Sequence, residues 1–197
     1  MISFCIITEG KRPEKLFNLL ASIALQGGGV ETTIAVDSAK RGILGTLRNQ
    51  AARASTGGIL VVCDDDITFD PDFCQQIINY PGDWSVMLPK ILSPDWSRYW
   101  DWRQWERQDC QRMLDYNQPD NGMIIPTGAA VIVKRDVWTQ VQWSETIRFY
   151  EPPCEDIDWG LHLHSCGYKM TSNPLCICHH DDVRYSQRGD CVMRITA

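Results

Sequence analysis

The chain has 197 residues, of which 44% are hydrophobic and 22% charged, as is usual for a globular domain. This composition argues against global disorder, and a formal net charge of −6 gives no general field that would attract nucleic acid. No apolar run approaches the roughly 20 residues of a membrane span, and the N-terminus lacks the basic start of a signal peptide. We therefore expect one domain over residues 1–197, without a membrane span and located in the cytoplasm.

Nine cysteines are an odd number in a chain without an export signal, which favours reduced thiols over disulfides. Cys176, Cys178, His179 and His180 stand close together, as zinc ligands do. However, no second pair follows at finger-like spacing, so the pattern disfavours a structural zinc site.

Strand-like and helix-like patterns alternate through the first half of the chain. Strands are predicted at residues 2–8, 32–36, 59–63 and 84–88, and helices from residue 13, over 44–54 and after residue 71. The third strand is apolar throughout, which is typical of a strand buried on both faces of a parallel sheet. We therefore predict an α/β fold whose mostly parallel sheet is flanked by helices.

The second half is less regular. Residues 93–121 are rich in Trp, Arg, Asp and Gln and fit no clear period. The later predicted elements are strand-like residues 123–133, a helix over 155–166 and a short strand over 175–178. Residues 181–197 are polar, and we expect a flexible tail there.

Carboxylates follow two predicted strands, at the edge where open α/β sheets bind ligands. Asp37 follows the second strand, and Asp64, Asp65 and Asp66 follow the third. Three adjacent carboxylates repel one another unless a cation or strong donors offset them, and a helix cap needs only one. Such oxygen ligands suit Mg²⁺ or Mn²⁺, which commonly share coordination with substrate phosphates. The triplet therefore predicts a divalent-metal site.

A second acidic cluster, Glu155 and Asp156, begins the predicted helix at residue 155. Acids in a first helical turn can simply complement the helix dipole. Beside a metal site they could instead supply the base that a group transfer requires. We also predict that His179 or His180 completes the metal shell, and we prefer His179 as the first residue past the last strand.

These pieces, in this order, resemble the inverting family 2 glycosyltransferases of the GT-A fold. The matching segments are Ile6-Ile7-Thr8, Ile34 to Asp37, Leu47 to Ala52, Thr56-Gly57-Gly58, Asp64-Asp65-Asp66, Thr127-Gly128-Ala129, Lys134-Arg135-Asp136, Glu155-Asp156 and Gly167-Tyr168-Lys169. The loop after Asp37 lacks the Asp-Gly-Ser-like run usual in the family, and the short chain leaves little room for an acceptor side.

The resemblance implies a Rossmann-like GT-A fold, that of nucleotide-diphospho-sugar transferases. It implies transfer of a sugar, with inversion, from a nucleotide-diphosphate sugar to an acceptor hydroxyl, with Mn²⁺ or Mg²⁺ as cofactor. By family habit the donor is a UDP-sugar. Residues 1–92 would bind the nucleotide sugar, and residues 93–180 would supply the acceptor and catalytic side.

Residue by residue, the resemblance places Asp37 against the base, Asp64 against the ribose or the metal, and Asp66 against the metal. The other donor-binding residues implied are Thr8, Arg48 and Asp65. Asp156 would be the general base, with Glu155 orienting the acceptor.

Two other functions stay open. A nucleotidyltransferase shares the α/β layer and the acidic metal site, and a non-catalytic sugar- or nucleotide-binding module could use tryptophans to stack on sugar rings. The Glu155-Asp156 helix and the missing glycine-rich phosphate loop favour sugar transfer. The acceptor is open between a glycan, a lipid-linked intermediate, a protein and a modified nucleic-acid base. Residues 96–105 either shape the acceptor side or fill a small subdomain core.

Overall fold

The computed structural model describes residues 1–38, 42–107, 110–116, 123–148 and 154–181. Its strands are β1 (Ile2–Thr8), β2 (Val30–Val36), β3 (Ile59–Asp64), β4 (Ile67–Phe69), β5 (Val86–Leu92), β6 (Arg103–Arg107), β7 (Cys110–Met113), β8 (Met123–Ile125), β9 (Ala130–Lys134) and β10 (Met170–His180). Its helices are α1 (Pro13–Ala24), α2 (Leu44–Ala54), α3 (Phe73–Ile78), α4 (Arg135–Gln140) and α5 (Glu155–Ser165).

Seven strands form the main sheet in the order β2-β1-β3-β9-β5-β10-β4. The strands β2, β1, β3, β5 and β10 run in one direction, whereas β9 and β4 run against them. A smaller antiparallel sheet has the order β7-β6-β8. The mostly parallel main sheet with its flanking helices confirms the predicted fold class.

The helices cover the sheet because each presents an apolar stripe to one of two cores. Leu19 of α1 packs into the core that also contains residues of α3. Leu47 of α2 packs into the opposite core, which also contains residues of α5. Strand β3 contributes to both cores, because Leu60 packs into the core with α2 and Val61 into the core with α1. The sheet is therefore buried on both faces, and its strand ends remain as the place for a site.

The structure departs from the sequence prediction mainly in the second half. Strand β10 is longer than the predicted 175–178, because the chain passes Pro174 with a register shift between Asn173 and Ile177 and keeps pairing with β5. The aperiodic stretch over 93–121 contains β6 and β7, which pair with each other. The short elements β4 and α4 were not predicted. Of the predicted tail at 181–197, only Asp181 lies within the described residues.

None of the helices in these ranges has both the length and the apolarity needed to cross a membrane. Free thiols are found at Cys5, Cys63, Cys74, Cys154, Cys166, Cys176 and Cys178.

Candidate active site

The carboxyl ends of three neighbouring strands form the floor of a cleft. Strand β1 lies between β2 and β3, so that Thr8 pairs with Val36 and Ile7 pairs with Asp64. Asp37 follows directly and donates its backbone N–H to the Thr8 carbonyl at 2.9 Å. The parallel register therefore brings Thr8, Asp37 and Asp64 to one edge of the sheet.

A cavity of about 180 Å³ opens beside Asp37, between the end of β2 and the start of α2. Ile43 and Leu47 give it apolar walls, while Thr46 and Gln50 add hydrogen-bonding groups. The Asp37 carboxylate is 7% exposed and accepts a hydrogen bond from the Gly42 N–H at 3.0 Å. This combination suits a small planar polar ring.

Asp65 and Asp66 share a cation from the loop that precedes α1. The Arg12 guanidinium donates to Asp65 and, at 2.5 Å, to Asp66. Asp65 also accepts a hydrogen bond from the Thr8 hydroxyl, which in turn accepts the Gly10 N–H at 2.9 Å. Partial burial lowers the pKa of Arg12, but Asp66 and Asp65 raise it above its ordinary value overall. Thr8 and Asp65 thus fix this loop, and Arg12 offsets the repulsion within the triplet.

Asp64 faces a different cation, Arg48 of α2, whose side chain is only 1% exposed. One Arg48 nitrogen, Nη2, lies 3.4 Å from Asp64 Oδ1 and 3.1 Å from Glu155 Oε1. The other, Nη1, donates to the Gly128 carbonyl at 2.7 Å. A Cβ at residue 128 would lie 2.7 Å from Nη2, so a side chain there would displace the guanidinium. Arg48 therefore joins the aspartate triplet to the Glu155-Asp156 pair.

The titration of Asp64 reflects this crowded position. Desolvation raises the pKa of Asp64 to about 7, and Asp66 and Glu155 act in the same direction, whereas Arg48 opposes the shift. Burial likewise lowers the pKa of Arg48, but the attraction of Asp64 and Glu155 raises it above its usual value overall. Additional positive charge in the cleft would therefore favour the ionised form of Asp64.

Asp156 stands at the start of α5 with both oxygens engaged. Its Oδ2 lies 3.0 Å from Nη2 of Arg103 in β6, and its Oδ1 accepts the Ile157 N–H at 2.8 Å. Arg103 is itself buried, donates to the Pro126 carbonyl at 2.8 Å and lies over the Trp100 ring. The carboxylate is 18% exposed, so its orientation is fixed while it remains accessible.

The two histidines lie within β10, not beyond it. The preference for His179 assumed a strand that ends at Cys178, and this assumption is wrong. His179 Nε2 lies 2.9 Å from Asp70 Oδ1, whereas His180 Nε2 lies 3.8 Å from Asp66 Oδ1. Successive strand residues point to opposite sides, so only one of the two can face the aspartate triplet.

Asp66 and His180 are the candidate pair of ligands for a divalent ion, and their facing atoms lie 3.8 Å apart. Both side chains are less than 10% exposed, and Asp66 gives one oxygen to Arg12 and turns the other toward His180. In octahedral coordination at about 2.1 Å, neighbouring ligands stand about 3 Å apart and opposite ligands about 4.2 Å apart. The observed 3.8 Å would therefore have to adjust for both atoms to bind one ion. In the described part of the chain, no three His, Cys, Asp or Glu side chains converge on a metal site. Further ligands would have to come from a phosphate and water.

A second cavity, of about 280 Å³, lies on this side of the cleft. It is lined by Lys15, Asn18, Asp66, Thr68, Pro94, His179, His180 and Asp181. The tyrosine ring of Tyr99 stacks on His180 with ring centres 4.3 Å apart and fixes the imidazole at its wall. The candidate metal pair therefore opens onto a space that a second ligand could enter.

Sequence reasoning did not identify Arg12 as a site residue, and it expected Arg103 to meet anionic groups of an acceptor, not the Asp156 carboxylate. Arg12 precedes Pro13 in a short loop, and Arg103 lies in the aperiodic tryptophan-rich stretch. The carboxylates that pair with Arg12 lie 53 and 54 residues further along the sequence, and the carboxylate that pairs with Arg103 lies 53 residues further along. No local pattern indicates pairings at that separation.

Residues 33–140 match the family model for Glycosyl transferase family 2. No curated protein sequence gives a significant match.

Several solved structures share the fold at low sequence identity. A Drosophila β-1,4-galactosyltransferase 7 variant, in complex with manganese, UDP-Gal and xylobiose, is 14% identical with a TM-score of 0.58, over 96% of this chain and 74% of its own. TarS of S. aureus, in complex with UDP-GlcNAc, is 14% identical with a TM-score of 0.65, over 95% and 61%. A Pyrobaculum calidifontis mannosyltransferase, in complex with GDP-Man and Mn²⁺, is 13% identical with a TM-score of 0.59, over 93% and 58%. The chain is thus shorter than each of these proteins.

Proposed function

Because this chain belongs to glycosyl transferase family 2, we propose that it is a metal-dependent hexosyltransferase that uses a UDP-sugar and inverts the anomeric configuration. The observation that carries the proposal is the Arg48 bridge, in which one guanidinium nitrogen lies within 3.4 Å of both Asp64 and Glu155. It brings the acidic strand end and the acidic helix start into a single cleft. A sugar transfer needs both: carboxylates that hold a metal for the leaving phosphate, and a carboxylate that acts as base for the nucleophile.

The donor half of the proposed site lies within residues 1–92. The nucleobase would occupy the cavity beside Asp37, with the ribose toward Asp64 and the diphosphate toward Asp66. We assign Thr8, Arg48 and Asp65 to positioning instead of direct donor contact, because their polar groups already hold the loop and the bridge together. The UDP-sugars bound to two of the similar structures support the choice of nucleotide.

Asp66 and His180 would hold the divalent ion, Mn²⁺ or Mg²⁺. When bound, such an ion neutralises charge on the departing diphosphate. Two similar structures contain manganese, which supports a metal of this type. We favour His180 over His179, since the ring of His179 faces Asp70.

The acceptor half of the proposed site lies within residues 93–180. Asp156 accepts the proton of the acceptor hydroxyl while that oxygen attacks the anomeric carbon. The bond from this carbon to the diphosphate oxygen breaks on the opposite face, which inverts the configuration. Arg103 holds the Asp156 carboxylate in one orientation, and Glu155 stays with Arg48. We also propose a cytoplasmic location, where the free thiols would remain reduced.

A panel of UDP-Glc, UDP-Gal, UDP-GlcNAc and GDP-Man, read out by nucleotide release with Mn²⁺ or with chelator, tests the proposal. The Asp156→Asn variant should bind UDP normally and lose on the order of 10²–10⁴-fold in transfer, because the amide cannot accept the proton. Asp158→Asn, on the same helix, is the matched control and should retain most activity.

Each part of the proposal can fail separately. If no donor is turned over, the chain is a binding module, and if a nucleoside monophosphate is released, the attack occurs at phosphorus. Equal rates with chelator would exclude the metal role. A product of retained configuration would exclude Asp156 as an inverting base.

A further inference from the structure

Trp96 has a backbone conformation that its own side chain does not explain. Among the described residues it is the one non-glycine with a positive φ, at 64°. A side chain is disfavoured there because its Cβ approaches the following carbonyl oxygen. Burial of the indole could offset this cost, yet Trp96 is 73% exposed. Strained positions of this kind concentrate at functional sites.

The turn that carries Trp96 is closely held. Its N–H donates to the Ser93 carbonyl at 2.8 Å, and the Ser93 N–H donates to the Ser97 carbonyl at 2.9 Å. Asp95 accepts from the Ser97 hydroxyl at 2.6 Å and from its N–H at 3.1 Å. These bonds fix the backbone and so hold the indole out in solvent.

The indole stands beside the cavity that contains the candidate metal pair. Its ring meets the His179 imidazole edge-on, with ring centres 5.5 Å apart, and His179 lines that cavity. Pro94, from the same turn, also lines it. His179 is anchored in turn by Asp70 at 2.9 Å. Trp96 is therefore an exposed aromatic ring fixed beside the cavity that contains the candidate metal pair.

The surroundings of Trp96 specify what could lie on it. One aromatic plane is available, and the cavity beside it is walled by Lys15, Asn18 and Asp181 as well as by apolar atoms. A pyranose ring matches this mixture, because one of its faces is made of C–H groups while its rim carries hydroxyls that need hydrogen-bond partners. A lipid chain would cover Asn18 and the Lys15–Asp181 ion pair without offering a hydrogen bond in return.

We propose that Trp96 is the platform on which a sugar ring of a glycan acceptor stacks. The inference rests on the proposed function, since it makes the second substrate of the transfer a carbohydrate. The strained turn presents the indole, and the polar wall of the cavity receives the hydroxyl groups of the stacked ring. Trp102, which the sequence grouped with Trp96, is 4% exposed and belongs to the core.

The test uses Trp96→Gly, because glycine accepts the positive φ without strain. This variant should fold at least as well as wild type, with Tm unchanged or raised by about 2–4 °C. Saturation-transfer NMR with cellobiose, xylobiose, lactose and chitobiose, in the presence of UDP and Mn²⁺, measures glycan binding without turnover. We expect wild type to bind at least one of these and the variant to bind it roughly tenfold or more weakly, as for other aromatic stacking platforms.

Two further variants sharpen the comparison. Trp96→Phe keeps a ring and should retain part of the binding, whereas Ile78→Ala removes a similarly exposed apolar side chain and should change nothing. Donor hydrolysis without acceptor should be equal in wild type and Ile78→Ala. Oligosaccharide binding that Trp96→Gly leaves intact overturns the proposal, as does a wild type that binds none of the four sugars. If wild type turns over no donor at all, the proposed function is refuted instead.

Discussion

Replacing Arg48 by methionine should be the most damaging single change in the cleft. Methionine keeps the unbranched apolar part of the side chain and a similar helix propensity, so the main loss is the charge. That loss leaves Asp64, Glu155 and the Gly128 carbonyl without the group that lies 2.7–3.4 Å from each. Of these, Glu155 is buried in a region that water enters poorly, whereas the Asp64 side chain is 30% exposed.

The magnitude follows from the burial of Arg48, which is 1% exposed. Removing one partner of a buried ion pair typically costs about 3–5 kcal/mol, because the other charge stays desolvated. For a domain of this size each kcal/mol lowers Tm by about 2–4 °C, so the variant should melt roughly 6–20 °C lower. Arg53→Met is the matched control on the same helix. Its ion pair with Glu145 joins side chains that are 51% and 40% exposed, and such pairs contribute about 0–1 kcal/mol.

The pH dependence identifies the cause. In the variant, Asp64 loses the cation that opposes the rise of its pKa, so the folded protein binds more protons than the unfolded chain. Its stability should therefore fall, relative to wild type, as the pH rises from 5 to 8. Urea denaturation at both pH values, with chelator present, measures this for both arginine variants.

A double variant distinguishes the loss of the Arg48 charge from a general folding defect of Arg48→Met. Adding Glu155→Gln to Arg48→Met removes one of the uncompensated carboxylates and should recover part of the lost stability at pH 8. The reasoning is refuted if Arg48→Met costs no more than Arg53→Met. It is equally refuted if the deficit is the same at pH 5 and pH 8.

Two further predictions concern the metal pair and the thiols. His180→Ala should weaken Mn²⁺ binding in the presence of UDP about tenfold or more, because it removes a proposed ligand. His179→Ala should change Mn²⁺ binding little. Calorimetric titration measures both affinities, and a larger loss in His179→Ala would contradict our choice of ligand. With iodoacetamide at pH 8, exposed Cys166 should react first. Cys74 and Cys176 should stay protected, because burial raises their pKa to about 11 and about 12. Mass spectrometry of the labelled native protein measures this, and rapid labelling of Cys74 would contradict it.

The sequence predicted the central sheet well because a strand buried on both faces requires a run of apolar residues, which is visible in the sequence itself. Four consecutive residues of β3, Leu60 to Cys63, are fully buried, and an unbroken apolar run is what that requires. The acidic residue that follows such a run necessarily lies at a strand end. The position of Asp64 was therefore predictable, and so was that of Asp37.

The partners of these acids were not predictable in the same way. Arg48 contacts Glu155 across 107 positions of sequence, and nothing in the composition of α2 distinguishes it from Arg53, which is exposed. The tryptophans show the same limit, since Trp96 and Trp102 have the same chemistry and opposite burial. The sequence predicted a short strand over 175–178, yet β10 begins at Met170, passes Pro174 with a register shift and brings His180 to Asp66. In each case the tertiary arrangement decides.

The charge of the cleft gives a reason for a divalent ion that is independent of family resemblance. In the cleft, the carboxylates of Asp64, Asp65, Asp66, Glu155 and Asp156 are ion-paired with the guanidinium groups of Arg12, Arg48 and Arg103. When all are ionised, five negative and three positive charges leave this set at −2. A nucleotide-sugar diphosphate is also negative, so it would approach against this charge in a site where low dielectric strengthens repulsion. A cation of charge +2 beside Asp66 would cancel the excess, whereas a monovalent ion would leave half of it.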